Sequence, residues 1–213
     1  CYYDGEGVDQ DYIEAAKWYR KAADQNYNWG QYNLAYCYYN GDGVTQSYTE
    51  AVKMYLKSAQ QGNSEAQNSL GTCYYNGNGI NQDYAEAINW YQKAADQNYG
   101  WGQYNLANMY YNGYGVMINY VKAFELYSKA AENGIGDAAN MICCMYYNGY
   151  SVPRDNNLEF EWAKKSADMG SADGMNNLGN CYYSGRGTPV NYELAKKWYT
   201  EAANRGNLQL EDS

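Results

Sequence analysis

Histidine is absent from this chain of 213 residues. Without it, neither a Ser-His-Asp triad nor a Cys-His nucleophile can form, and no imidazole can bind a metal. The Cys-x-x-Cys pairs that a cysteine zinc site needs are missing as well. We therefore expect a protein without catalytic residues, without a bound metal and without a cofactor.

Long apolar runs and positive charge are also scarce. No stretch approaches the roughly 20 apolar residues that cross a bilayer, so we expect no membrane insertion. The chain has 15 Lys and Arg against 24 Asp and Glu, which gives a net charge of -9. Nucleic acids and anionic membrane surfaces attract clustered basic residues, so we expect neither as a partner.

Tyrosine and glycine, by contrast, are abundant, with 29 and 22 residues against two Phe and two Pro. The bias comes from repetition, because a Tyr-Tyr pair recurs every 36 residues without insertion, starting at Tyr2, Tyr38, Tyr74, Tyr110, Tyr146 and Tyr182. Other positions of the unit also recur. A large apolar residue precedes a small one at Leu34-Ala35, Leu70-Gly71, Leu106-Ala107, Ile142-Cys143 and Leu178-Gly179, and one position is always alanine, at Ala23, Ala59, Ala95, Ala131, Ala167 and Ala203. Such alternation predicts helices that pack closely.

Each unit shows the spacing of two helices, for example over residues 65–76 and 84–97. A residue that can cap a helix N-terminus precedes each second helix, at Asp11, Ser47, Asp83, Asn119, Asp155 and Asn191. Glu14, Glu50 and Glu86 follow three residues later, which predicts capping boxes. The second helices are predicted to end at residues that accept left-handed backbone angles, namely Asn26, Gly62, Asn98, Gly134, Gly170 and Gly206.

A Gly-x-Gly motif lies between the two helices of a unit, as in Gly41/Gly43, Gly77/Gly79 and Gly113/Gly115. A dinucleotide-binding motif requires a strand before its glycines, and a P-loop requires Lys-Ser/Thr after them. Neither is present here. We interpret it as a structural joint rather than a phosphate site. Ser151 replaces the second glycine in the fifth unit, so we expect ordinary backbone angles at that position.

The unit EAQNSLGTCYYNGNGINQDYAEAINWYQKAADQN, residues 65–98, resembles the Sel-one-like repeat, a relative of the tetratricopeptide repeat. The matching residues include Ala66, Leu70, Tyr74, Ala87 and Trp90. The resemblance implies an all-α fold, a right-handed superhelical solenoid of antiparallel helix pairs, that serves as a binding scaffold. We expect one solenoid over residues 1–213, with units starting near residues 1, 28, 64, 100, 136 and 172. Because residues 1–5 align with the end of a first helix, we also expect a segment of a longer protein.

The fifth unit departs most from the pattern, with Asn156 and Ala163 where others have Tyr, and Glu159 where others have Ala. We expect Phe160 to fill the gap. The cysteines are Cys1, Cys37, Cys73, Cys143, Cys144 and Cys181. Equivalent positions in neighbouring units should lie about 8 to 10 Å apart, beyond the reach of a disulfide, so we expect buried, unpaired thiols.

The first helices carry no Lys or Arg, and helical spacing places aromatic and amide side chains away from their core faces. These predicted ligand-binding residues are Trp29, Tyr32, Tyr36, Tyr39, Asn40, Asn68, Thr72, Tyr75, Asn76, Trp101, Tyr104, Asn108, Tyr111, Asn112, Asn140 and Tyr147. Glu65, Asp137 and Asp173 accompany them. Aromatic rings interleaved with amides are typical of a surface that recognises an extended ligand.

Two functions fit this surface. One is a non-enzymatic scaffold that binds a neutral or basic peptide or protein segment on its concave face, since the face carries carboxylates and no cation. The alternative is binding of carbohydrate or cell-wall glycan, because Trp and Tyr rings stack on sugars. The second tyrosine of each pair has a further interpretation, in which it only packs against the neighbouring unit.

Overall fold

A computed structural model describes the backbone of residues 2–211 and the side chains of residues 2–206. Regular structure in this part of the chain consists of helices alone, which confirms the all-α prediction. The first helices of the repeats are α2 (Asn28–Asn40), α4 (Ser64–Asn76), α6 (Gly100–Asn112), α8 (Gly136–Asn148) and α10 (Ala172–Ser184). The second helices are α1 (Tyr12–Asp24), α3 (Tyr48–Gln60), α5 (Tyr84–Asp96), α7 (Tyr120–Glu132), α9 (Asn156–Asp168) and α11 (Tyr192–Glu211).

The chain forms two compact units. Unit 1 extends to Gly102 and includes Tyr114–Val116, while unit 2 comprises Gln103–Gly113 and the chain from Met117 onward. Within each unit the two helices of a repeat pack side by side in opposite directions. In the third repeat, for example, Tyr74 near the end of α4 accepts from the Asp83 amide before α5, and Gly71 one turn earlier faces Tyr91 two turns later.

The second helices start where the sequence predicts. All six capping side chains accept a hydrogen bond from an amide of the following turn. The capping boxes, however, are wrong, because the cap amides of Asp11, Ser47 and Asp83 donate instead to the carbonyls of Tyr2, Tyr38 and Tyr74. Glu14 and Glu50 bind the ammonium groups of Lys17 and Lys53, one helical turn later, at 3.0 and 2.6 Å.

The ends of the second helices match the prediction in five repeats. Residues 26, 62, 98, 134 and 170 all have φ between 61° and 88°. Gly206 is the exception, because α11 continues through it to Glu211. The residues after Gly206 include Leu, Gln and Glu, whose helix propensity is high enough to offset a glycine inside a helix.

The Gly-x-Gly motif is the joint between the helices of a repeat. Gly41 and Gly77 end α2 and α4 in the left-handed conformation. Gly79 also has a positive φ, and a Cβ atom there would lie 2.3 Å from the carbonyl oxygen of Tyr48. The expectation for Ser151 is wrong, because its φ of 63° shows that the joint imposes the same backbone on serine.

The core follows the predicted alternation of large and small residues. The large residues from Leu34 to Leu178 are at most 1% exposed, and their small neighbours are buried as well. The alanine position is less uniform, since Ala59, Ala131 and Ala167 are buried, Ala23 and Ala95 are half-buried, and Ala203 is exposed.

The fifth repeat does not repair its missing tyrosine with Phe160. That ring contacts Tyr182 edge-on at 5.4 Å, as Phe124 contacts Tyr146 at 5.9 Å in the fourth repeat. Phe160 therefore makes an ordinary repeat contact, and the space that Ala163 leaves is open to other side chains.

Candidate functional site

The first-helix surface is largely accessible, as the helical spacing predicted. Trp29, Tyr36, Trp101 and Tyr147 are between 42 and 51% exposed. Three amides at helix ends are exposed, those of Asn40, Asn76 and Asn112, and the half-buried members are Tyr32, Tyr39, Asn68, Thr72, Tyr75, Tyr104, Asn108 and Tyr111. Asn140 is the correction: it is only 8% exposed, because its amide oxygen accepts from Asn177 of the next first helix.

In unit 1 several of these side chains meet in one pocket of about 180 Å³. Its lining comprises Tyr32, Tyr36, Tyr39, Asn40, Tyr55, Ser69 and Thr72, and we call it the tyrosine pocket. Its tyrosine walls come mainly from α2, one turn apart, because residues three and four positions apart share a helix face. Trp29 contacts Tyr32 edge-on at 5.9 Å, so an exposed indole extends the pocket by one turn.

Tyr55 and Ser69 belong to this pocket although the sequence did not predict them. Tyr55 comes from the second helix α3 and is 2% exposed, with its ring 5.9 Å from Tyr32 and 6.5 Å from Tyr39. The signal was present in the sequence, because tyrosine recurs at this position as Tyr19, Tyr91, Tyr127 and Tyr199. Tyr55 belongs both to the core and to the floor of the pocket.

The tyrosine hydroxyls of the pocket are uncharged, and the Glu65 carboxylate lies near them. Burial, followed by the Glu65 charge, raises the pKa of Tyr32 above its ordinary value. Burial likewise raises the pKa of Tyr55. Both hydroxyls therefore stay protonated at neutral pH and can donate to a ligand.

In the first five repeats, the second tyrosine of the pair contacts the middle residue of Gly-x-Gly in the next repeat. Tyr3 donates to Asp42 at 2.7 Å, and Tyr39 accepts from the Asn78 amide at 2.8 Å. The later repeats use ring contacts, which are Tyr75 with Tyr114 at 5.7 Å, Tyr111 with Tyr150 at 6.1 Å, and Tyr147 with the Arg186 guanidinium at 4.9 Å. We call this the inter-repeat contact, and it favours the packing interpretation for Tyr39, Tyr75 and Tyr111.

Several predicted amides of unit 2 already have partners inside the protein. Asn108 accepts from the Tyr127 hydroxyl at 2.6 Å, and Asn112 donates to the Asn108 carbonyl at 2.9 Å. In unit 1 Thr72 pairs with the Tyr91 hydroxyl at 3.2 Å in the same way. These side chains position tyrosine rings, which leaves the aromatic residues as the stronger candidates for ligand contact.

A cation does reach the first-helix surface of unit 2, so that part of the sequence interpretation is wrong. Arg186 lies in the loop after α10, and its Nε donates to the Glu159 carboxylate at 2.9 and 3.2 Å. Glu159 is 2% exposed. The two residues line a cavity of about 320 Å³ together with Cys144, Tyr147, Asn177 and Asn180, which we call the unit 2 pocket.

The thiols are buried as expected among the cysteines that the structure describes, and none of these forms a disulfide. Cys37, Cys73, Cys143 and Cys181 are buried and Cys144 is half-buried, while Cys1 lies outside the described residues. Burial raises the pKa of Cys37 to about 11 and those of Cys73 and Cys181 to about 12. Thiols of this kind are poor nucleophiles at neutral pH.

Neither a metal site nor a membrane-spanning helix occurs among the described residues. No cluster of Cys, Asp and Glu there could hold a metal ion. Among the helices described above, none is both long and apolar enough to cross a membrane.

The chain is similar to a known repeat family and to several solved structures. A model of the Sel1 repeat matches residues 1–27, 30–63, 64–99, 102–135, 136–171 and 172–207. Among curated protein sequences, none is significantly similar to the chain.

Solved structures share the fold. The chain is 38% identical over 96% of its length, with a TM-score of 0.86, to c5321, a protective antigen present in uropathogenic Escherichia coli strains that displays an SLR fold. It spans 44% of that protein. A Sel1 repeat protein from Oxalobacter formigenes is 32% identical over 95% of this chain and 83% of its own, with a TM-score of 0.91. An immunity protein from Pseudomonas aeruginosa, 22% identical over 84% of this chain and 66% of its own, shares the fold at a TM-score of 0.59.

Proposed function

Because the chain belongs to the Sel1 repeat family, whose members are generally scaffolds for protein–protein interaction, we propose that it binds an extended peptide or partner segment along its first helices. We also propose that the chain is not an enzyme. Sel1 repeat proteins are typically non-enzymatic, and the described thiols are held in their unreactive protonated form.

The observation that best supports this proposal is the tyrosine pocket, with the exposed Trp29 ring beside it. Its volume of about 180 Å³ is below the roughly 300 to 1,000 Å³ of sites for small molecules, and suits a single side chain. Rings provide apolar contact area, and the hydroxyls of Tyr32 and Tyr55 and the amide of Asn40 can bond a peptide backbone. One side chain of the ligand enters the pocket while the neighbouring residues lie along α2 and α4.

The partner segment is expected to be neutral or basic. Glu65 lies close enough to the tyrosine pocket to raise the pKa of Tyr32, and α2 and α4 contain no Lys or Arg. A cationic partner is attracted by this carboxylate, and the attraction is screened by salt. Binding should therefore weaken as ionic strength rises. Binding that does not depend on salt, and that a glycan displaces, would favour the carbohydrate alternative instead.

The test starts from a peptide library displayed on phage and selected on the purified chain. A selected peptide is then titrated against Trp29→Ala and Trp101→Ala. Each substitution should weaken binding by roughly 2 kcal/mol or more, about 30-fold, because exposed aromatic anchors dominate interface energy.

Lys17→Ala and Lys53→Ala are the matched controls, since these exposed side chains lie on the second helices α1 and α3. They should leave the affinity unchanged within about threefold. Equal losses in both sets, or a loss in the lysine variants alone, would place binding on the second helices and contradict the proposal.

A further inference from the structure

The unit 2 pocket lies in the repeat whose second helix lacks a tyrosine that the other repeats have. Ala163 stands where the other repeats carry Tyr19, Tyr55, Tyr91, Tyr127 and Tyr199. In the third, fourth and sixth repeats this ring bonds a side chain of its own first helix, as Tyr127 bonds Asn108. The equivalent of Asn108 in the fifth repeat is Cys144, whose sulfur accepts from the Asn177 amide at 3.7 Å, while position 163 carries alanine in place of the tyrosine.

The unit 2 pocket and the tyrosine pocket are lined by residues at equivalent positions of the repeat. Cys144, Tyr147, Asn177 and Asn180 line the unit 2 pocket at positions equivalent to Tyr36, Tyr39, Ser69 and Thr72 of the tyrosine pocket. Tyr55 is the floor of the smaller pocket, at about 180 Å³. Without a tyrosine there, the pocket of unit 2 reaches inward to Cys143 and Glu159 and measures about 320 Å³.

This volume is sufficient for a substituted aromatic ring, since a cavity of about 150 Å³ in another protein holds benzene. The pocket is also polar, so an entering ring needs a substituent that forms hydrogen bonds. Arg186 offers such bonds. A guanidinium carries five N–H donors, and the ion pair with Glu159 uses only the one on Nε.

The Arg186 side chain is held in place by two contacts. The buried Glu159 carboxylate binds Nε, and the guanidinium carbon lies over the Tyr147 ring, 4.9 Å from its centroid. A planar guanidinium fixed in this way can stack a second ring and bond its hydroxyl. The Asn180 amide lies in the same lining. Its Oδ1 accepts from Tyr199 at 2.8 Å and its Nδ2 donates to Asn177 at 3.4 Å, so its second N–H is the group that can bond the hydroxyl.

We propose that the unit 2 pocket binds a phenol ring, presented by a small molecule or by a tyrosine side chain of a peptide, in the space that the repeat's own tyrosine occupies elsewhere. The site is separate from the tyrosine pocket and does not depend on the peptide-binding function proposed above.

The experiment uses p-cresol, which is the tyrosine side chain capped by a methyl group, and the amide NMR spectrum of the ¹⁵N-labelled chain. We expect saturable shifts confined to α8, α9, α10 and residues 185–187. Toluene, which lacks the hydroxyl, should bind about two- to tenfold more weakly, since one hydrogen bond is lost. N-acetyl-tyrosinamide distinguishes the two sources: binding comparable to that of p-cresol indicates a tyrosine of a peptide, and exclusion indicates a small phenol.

Ala163→Tyr should abolish p-cresol binding, with at least an approximately tenfold loss, because it restores the ring of the other repeats. If this variant fails to fold, Cys144→Tyr closes the pocket from the solvent side, with the residue that repeat 2 carries as Tyr36. Lys53→Ala, at an exposed side chain of unit 1 outside both pockets, should leave p-cresol binding unchanged. An absence of saturable shifts, or full affinity in a folded blocking variant, would overturn the proposal.

Discussion

At the scale of single residues, glycines with positive φ differ in how much added volume their surroundings tolerate. Gly62 and Gly79 both have positive φ, but a Cβ atom at Gly62 meets nothing within 4 Å, whereas at Gly79 it lies 2.3 Å from the Tyr48 carbonyl oxygen. The pair therefore separates the cost of the backbone conformation from the cost of a clash.

We expect Gly62→Ala to lower the free energy of unfolding by about 1 kcal/mol, because left-handed strain is partly offset by lower entropy of the unfolded chain. Gly79→Ala should cost at least about 2 kcal/mol, because overpacking is added. Urea unfolding of both variants measures the difference. Equal costs would show that the Gly79 contact relaxes freely.

The ion pair between Glu159 and Arg186 is a second residue-scale feature, and breaking it should lower the stability of the fold measurably. Arg186→Asn leaves a carboxylate that is 2% exposed without its partner, and should destabilise the protein by about 2 to 4 kcal/mol. The double change Glu159→Ala with Arg186→Asn restores residues that other repeats carry, and should recover at least half of that loss. Thermal unfolding checks both. A double variant as unstable as the single one would mean that the charge pair is not the cause.

Ser151 and Arg186 show where prediction from the sequence stops at this scale. The residue type at position 151 suggested ordinary backbone angles, but the contacts of the whole joint set them. Counting Lys and Arg within first-helix segments missed Arg186, because a long side chain can reach a surface from a neighbouring loop. Helical spacing placed Trp29 and Trp101 correctly, since the exposure of a side chain near a helix start depends mainly on its angle around the helix.

At the scale of helices, the alanine positions set how closely neighbours approach. Ala87 is 0% exposed, so Ala87→Leu should overpack its site and cost about 1 to 3 kcal/mol. Ala95, at the end of the same helix α5, is half-buried, so Ala95→Leu should cost less than half as much. Unfolding by urea gives both values, and similar costs would contradict the difference in burial.

The starts of the second helices were easier to predict from the sequence than the hydrogen bonds of the backbone around them. A capping side chain acts on amides two or three residues away, so the sequence determines it locally. The capping box failed because a competing acceptor, the carbonyl of Tyr2, Tyr38 or Tyr74 on the other side of the Gly-x-Gly joint, binds the amide of the cap residue. The tyrosine pocket could be predicted only in part, since its α2 wall follows from spacing while Tyr55 enters from another helix.

At the scale of the whole molecule, buried thiols and phenols make stability depend on alkaline pH. Burial raises the pKa of Cys37 to about 11 and that of Cys73 to about 12, from 9.0, and those of Tyr91 and Tyr99 to about 12, from 10.0. The folded state therefore holds these protons at a pH where the unfolded state has released them. Stability is complete below pH 9 and is lost as pH rises toward 12.

We expect the melting temperature to be nearly constant from pH 7 to 8.5 and to fall steeply above pH 9. Cys73→Ala should make the fall shallower, because one of the groups that release a proton on unfolding is gone. The comparison concerns the slopes, since the variant also changes packing. A parallel fall in both proteins would assign the alkaline loss to other groups.

The inter-repeat contact makes neighbouring repeats exchangeable. One side is always a tyrosine, while the other is Asp42, Asn78, Tyr114, Tyr150 or Arg186. Tyrosine accommodates all of them, because its hydroxyl bonds a carboxylate or an amide and its ring takes another ring or a cation. A gene duplication or deletion in steps of 36 residues therefore joins two repeats that already fit, so evolution can lengthen or shorten such an array without inventing a new joint.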